Sequence, residues 1–225
     1  MTPIDLAAVE VAAIPVKAPS PASSAPISPA PVSPPPISST TISSTGPVAP
    51  VSVDRWLALV TTVERLAAAD SFESIIAIVR ETARLISGAD GVTFVLRDGD
   101  LCHYVEENAV GPLWKGRRFP LTACISGWCM LNAKSAVIPD IYVDPRIPHD
   151  AYRPTFVQSL VMVPVRAENP LAAIGSYWST VREFSDTEVA LLEGLGRSTA
   201  AAIAGVQARE TLRENEERLR LALIA

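Results

Sequence analysis

The chain has 225 residues, a formal net charge of −5 and 48% hydrophobic residues. An acidic chain offers no basic field for nucleic acid, and its uninterrupted apolar runs fall well short of the about 20 residues that span a bilayer. Three cysteines, odd in number and without CxxC spacing, argue against a disulfide framework or a structural zinc site and fit a reducing, cytoplasmic setting.

Residues 1–51 differ in composition from the rest. No charge lies between Lys17 and Asp54, and runs such as PVSPPPISSTTISS favour extended conformers. With few large side chains to offset ordering entropy, this Pro/Ser/Ala-rich tail is expected to be a disordered tether. Its first residues, MTPIDLAAVEVAAIPVK, lack the basic start of a signal peptide.

Two helices come next. Val53, Trp56, Leu57, Val60, Val63, Leu66 and Ala67 recur at three-and-four spacing, the mark of an amphipathic helix. In the second, Asp70 and Glu73 are placed to form a capping box. Phe72, Ile75, Ile76, Val79, Ala83 and Ile86 make its stripe, and Gly88 stops it.

Strands follow at Val92–Leu96 and Leu101–Glu106, joined through an Asp-Gly hairpin signal at 98–99. A short strand is expected at Phe119–Leu121, an apolar helix at Ile125–Asn132, and strands at Ala136–Pro139, Phe156–Val165 and Leu171–Ser179. An irregular polar and aromatic loop fills Ile141–Thr155. Ser185 and Glu188 then open a long helix as an S-x-x-E box, with a weak point expected at Gly194–Gly196. Leu192, Leu195, Thr199, Ala202 and Val206 suit packing on the sheet or on a partner helix. The stripe then slips to Leu212, Leu219 and Leu223, as a coiled-coil stutter would. Exposed charges there are spaced for i,i+4 pairs, Arg213 with Glu217, Glu214 with Arg218 and Glu216 with Arg220.

The order Gly127-Trp128, VIPD at 137–140, DPRIP at 144–148 and SLVMVPV at 159–165 resembles a GAF domain, and in particular the GAF modules of bacterial sensor histidine kinases. The resemblance covers roughly Asp54 to Gln207. It implies an α+β fold, an antiparallel sheet flanked by N-terminal helices and followed by a long C-terminal signalling helix. Residues 52–207 would be the GAF domain and 208–225 the signalling helix, whose EERLRLALIA resembles the opening of a PAS domain in such kinases. The chain is then expected to be a fragment that stops short of its output domain.

In that family the loop after VIPD closes over a ligand cavity. The resemblance therefore implies a pocket walled by Trp128, Tyr142, Tyr152, Phe156 and Trp178, with Cys129, Asp140, Asp144, Arg146, His149 and Ser159 as further ligand-site candidates. Asp140, Asp144, Arg146 and His149 also admit a metal or anion reading, but no spacing is diagnostic. Asp turns holding the loop's own backbone are the favoured alternative. One branch of the family reduces free methionine sulfoxide with a loop cysteine as nucleophile. This loop reads DPRIPHDAY, with no thiol to begin that chemistry. Cys124 and Cys129 read as small core residues, with redox sensing as the alternative. Cys102-His103 is similar to a bilin-attachment pair, but in a strand its two side chains point to opposite faces. The cyclic-nucleotide signature of the N-K-F-D type is missing.

With two histidines, neither in a charged helical segment, and no Gly-rich ATP lid, the chain is expected not to be an enzyme. The reading is a sensory or regulatory module of a two-component protein that binds a small molecule or senses redox state. Its expected partners are a second copy through the C-terminal helix and an output kinase domain in cis or trans, with no nucleic acid and no membrane. No cofactor and no metal is assigned. The rival readings are a ligand-free dimerisation scaffold and, less favoured, a GAF-fold methionine sulfoxide reductase.

Overall fold

The computed structural model describes residues 51–166 and 168–223. The tether expected over 1–51 lies, apart from Val51, outside them. Six strands form one antiparallel sheet in the order β3-β2-β1-β6-β5-β4: β1 Gly91–Asp98, β2 Leu101–Ala109, β3 Arg118–Pro120, β4 Ala136–Ile138, β5 Ser159–Val165 and β6 Ala172–Trp178. Helices α1 (Val53–Ala67), α2 (Phe72–Ser87) and α5 (Asp186–Ala222) pack on one face. The other face carries α3 (Ile125–Asn132), the one-turn α4 (His149–Tyr152) and the segments around them.

Strand alternation sorts the side chains into two cores. In β5, Val161, Val163 and Val165 face the helices, whereas Leu160 and Met162 face the other way. In β6, Ile174 and Trp178 share the helix side, and Ala173 and Tyr177 take the opposite side. Every residue of β6 is buried, because this central strand is covered on both faces.

Several expectations change. The α2 capping box is made by Ser71 and Ser74, not Asp70 and Glu73. The helix begins at Phe72, so the extended Ser71 is the residue whose oxygen reaches the Ser74 N–H, at 3.2 Å. On α1 the buried line is Leu59, Thr62 and Leu66; the stripe of Val53, Trp56, Leu57, Val60 and Val63 faces outward. The loop at 141–155 is not wholly irregular, since it contains α4. The first residues expected in β5 run outside the ladder, which starts at Ser159.

The box on α5 forms as expected, with Ser185 and Glu188 bonding reciprocally. No break occurs at Gly194–Gly196, and α5 runs unbroken for 37 residues. Gly196 instead lets the helix sit on β5: a Cβ there would lie 2.8 Å from the Pro164 carbonyl oxygen. Leu192, Leu195, Thr199, Ala202 and Val206 are buried within the domain, and the slip in the stripe marks where the helix leaves it. Leu212 and Leu219 beyond are exposed. None of the three ion pairs expected there closes among the described residues; the i,i+4 pair formed on α5 is Glu193–Arg197, at 3.6 Å. Exposed pairs of long side chains gain too little in water to hold one geometry. By length and composition α5 could cross a membrane, but 39% of its most apolar window is buried inside the domain.

Candidate functional site

The segment linking β4 to β5 forms a lid held by its own polar groups. Asp140 Oδ1 accepts the Tyr142 N–H at 2.8 Å, and Asp144 Oδ1 accepts the Arg146 N–H at 2.9 Å. The Arg146 guanidinium then grips the Asp144 carboxylate, Nη2 to Oδ2 at 2.5 Å, and lies 4.4 Å over the Trp128 ring of α3. That guanidinium holds the Asp144 carboxyl below its ordinary range, and Asp144 in turn raises Arg146. His149 Nε2 donates to the Ile141 carbonyl at 3.0 Å, which fixes the ring tautomer, and the ring tilts against Tyr142. These are the loop-holding bonds of an Asp-turn lid. Among the described residues no group of three or more His, Cys, Asp or Glu side chains is placed to hold a metal ion.

Under the lid lies an aromatic chamber. Trp114 stands edge-on to Tyr152 at 4.7 Å and to Tyr104 and Tyr177 at 5.6 Å each; Phe119 closes on Tyr104 at 5.5 Å. Each polar tip is satisfied: Tyr177 Oη pairs with Thr93 Oγ1 and Tyr104 Oη with Ser126 Oγ, both at 2.9 Å, and Trp114 Nε1 donates to the Ala151 carbonyl at 3.3 Å. Burial pushes all three tyrosine hydroxyls above their usual range, so they stay neutral donors. Gly175 makes room for Tyr177, because a Cβ there would sit 2.3 Å from its hydroxyl. The space that the resemblance assigned to a ligand is filled by side chains.

The site residues expected from sequence therefore separate. Trp128, Asp144 and Arg146 come together in the lid, as do Tyr142 and His149, while Asp140 anchors its first turn. Tyr152 and Phe156 belong to the chamber. Cys129 is fully buried, its Sγ donating to the Met162 carbonyl at 3.6 Å, and burial pushes its thiol up to about 12. Ser159 and Trp178 are not part of the chamber. They are paired neighbours across β5 and β6, and Trp178 packs with the helices, its Nε1 bonded to the Gly88 carbonyl at 3.1 Å. Ser159 donates to Thr180 O at 2.8 Å. Strand parity sends both away from the lid.

Sequence reasoning missed Trp114, Tyr104, Tyr177 and Thr93. Alternation in LCHYVEE could have found Tyr104, two residues from the inward Cys102; Trp114 sits in a loop with no period to reveal it. His103 points the other way, 3.3 Å from Arg118 Nη2, so the Cys102-His103 pair is divided between faces as its strand requires.

The GAF domain family model matches residues 69–204. The chain belongs to the GAF domain family. No curated protein matches it. Among solved structures it is similar to the GAF domain of a phosphoenolpyruvate-protein phosphotransferase from Coxiella burnetii (TM-score 0.61, 16% identity, 70% of this chain and 97% of that one). It is also similar to the free methionine-R-sulfoxide reductase of Neisseria meningitidis with its substrate (TM-score 0.59, 16% identity, 71% and 96%). A third is the phycocyanobilin-bound GAF domain of a cyanobacterial phytochrome (TM-score 0.59, 20% identity, 71% and 98%). At these identities the likeness is one of fold.

Proposed function

We propose that this chain is the non-catalytic sensory module of a bacterial two-component signalling protein, in which a change in the chamber is passed through α5 to an output kinase domain. The input is a small molecule that displaces chamber side chains, or a change of redox state. One observation carries the reading: a single strand separates chamber from signalling helix. On β5, Met162 faces the chamber while Val161 and Val163 face the helices, and α5 seats on the same strand at Gly196. A shift in the chamber moves the surface that α5 rests on. The signal is the difference in stability between two helix arrangements.

The active form is a homodimer in the cytoplasm. The outward stripe of α1 and the exposed Leu212 and Leu219 of α5 lack an apolar partner within the domain, and a groove of about 220 Å³ between Val63, Ser198, Ala201 and Gly205 joins the two helices. A free helical extension of this length is marginal in water without a second helix beside it.

A ligand-free dimerisation scaffold is the second reading, favoured by the filled chamber. Native mass spectrometry with an absorbance spectrum of the protein as purified separates the two. A bound mass or a visible band supports the sensor, and a bare dimer supports the scaffold. A bare monomer contradicts both.

A further inference from the structure

One chamber wall carries two thiols that neither the packing nor the lid explains. Cys124 is the N-cap of α3; its Sγ is 3.2 Å from Ser126 Oγ, which is itself 2.9 Å from Tyr104 Oη. Tyr104 and Cys102 are two apart on β2, so they point to the same face, and the start of β2 is bound to the segment leading into α3 through Leu121 N–H to Asp100 O at 2.9 Å. The strand and the helix cap bring the Cys102 and Cys124 side chains together in one buried cluster.

The two thiols are unequal. Cys102 donates to Cys124, and Ser126 Oγ with the backbone N–H groups of Ser126 and Gly127 adds to the stabilisation, so the Cys124 thiol falls below its ordinary value in spite of its burial. Cys102, the donor in that pair and itself buried, is pushed up. A thiolate at a helix N-terminus with a protonated thiol beside it is the arrangement of an attacking and a resolving cysteine. Cys129, five residues on, is buried without such donors and remains a thiol.

We propose that Cys102 and Cys124 form an intramolecular disulfide when the protein meets a peroxide. The Cys124 thiolate attacks one peroxide oxygen, the O–O bond breaks, and Cys124 becomes a sulfenic acid as hydroxide leaves. The Cys102 sulfur then attacks Cys124 sulfur and the S–O bond breaks. The proton of Cys102 goes to the departing hydroxide, which leaves as water. Two thiols are oxidised and one peroxide is reduced to two waters. The bond would tie β2 to the start of α3, beside Tyr104 and against the chamber, so this inference rests on the sensory reading and names its input.

The full chain is treated with hydrogen peroxide, denatured, alkylated and digested with trypsin without reduction. The expected product links peptide 98–115 to peptide 119–134, with fragmentation placing the bond at Cys124 and the alkyl group at Cys129. Cys129→Ser keeps the link, and Cys102→Ser or Cys124→Ser abolishes it. Full alkylation of Cys102 and Cys124 after oxidation, or a link through Cys129, overturns the proposal, and wild-type protein alone decides this if a variant fails to fold. Amide exchange of residues 207–222, read on the same samples, tests the sensory reading separately. A disulfide that forms while that exchange stays unchanged supports the thiol pair and overturns signalling through α5.

Discussion

Glu188 and Arg182 meet at 2.7 Å at the start of α5, and the Glu188 side chain is only 6% exposed. Arg55 of α1 reaches the same carboxylate at 3.4 Å while donating to the Ile86 and Ser87 carbonyls at the end of α2. One acidic side chain thus caps α5 and joins three helices.

That junction sets an acid limit. Burial alone would raise the Glu188 carboxyl, but the Ser185 N–H and the Arg182 and Arg55 guanidinium groups hold it below its ordinary value. A folded value below the unfolded one, about 4.3, means stability that is full above that pH and is lost as pH falls through the folded value. Thermal melts should therefore show a drop below about pH 4. Glu188→Ala, which strands two guanidinium groups and a cap, should cost about 3 kcal/mol in denaturant unfolding at pH 7.

In the lid, Arg146→Ala removes the cation over Trp128 and leaves Asp144 without its partner. The expected loss is about 1 kcal/mol, because both groups remain in reach of water. Trp128 should become more accessible to a soluble quencher. Unchanged quenching would show that the stacking does not shield the ring.

Within the chamber, Gly175→Ala drives a methyl into Tyr177 and Met162 Cε, which a Cβ would approach to 2.9 Å. Overpacking of this kind costs about 1–3 kcal/mol. Thr93→Val, which leaves the buried Tyr177 hydroxyl without its partner, should cost about 1–3 kcal/mol. The two residues act on one tyrosine, so the double variant should fall short of the sum. Urea unfolding of the four proteins checks this.

Ending the chain at Gln207 removes only exposed helix. The domain's unfolding midpoint at low concentration should be unchanged, while self-association weakens. Sedimentation and melts on the same samples separate the two effects.

How much of this was legible in the sequence follows from what each pattern encodes. Ser185 and Glu188 announced the start of α5 because a capping box is local chemistry, and the helix Ile125–Asn132 was bounded correctly for a similar reason. Trp178 was misplaced because AAIGSYW is apolar on both faces, so composition gave no parity and only the register with Ser159 settles it. The outward stripe of α1 obeys the same three-and-four spacing as an inward one, and periodicity does not say which apolar face meets the domain. Trp114 and Tyr177 meet across a long stretch of chain, a relationship no local pattern holds.

The most direct test of coupling between chamber and helix is the dimer dissociation constant, measured by sedimentation for the wild type and for Trp114→Leu. Trp114 is buried in the chamber core, whereas α5 packs in the other core, so a change must travel through the sheet. The account predicts a shift of about 5-fold or more, the size of an ordinary coupling free energy. Equal constants for the two folded proteins would contradict it.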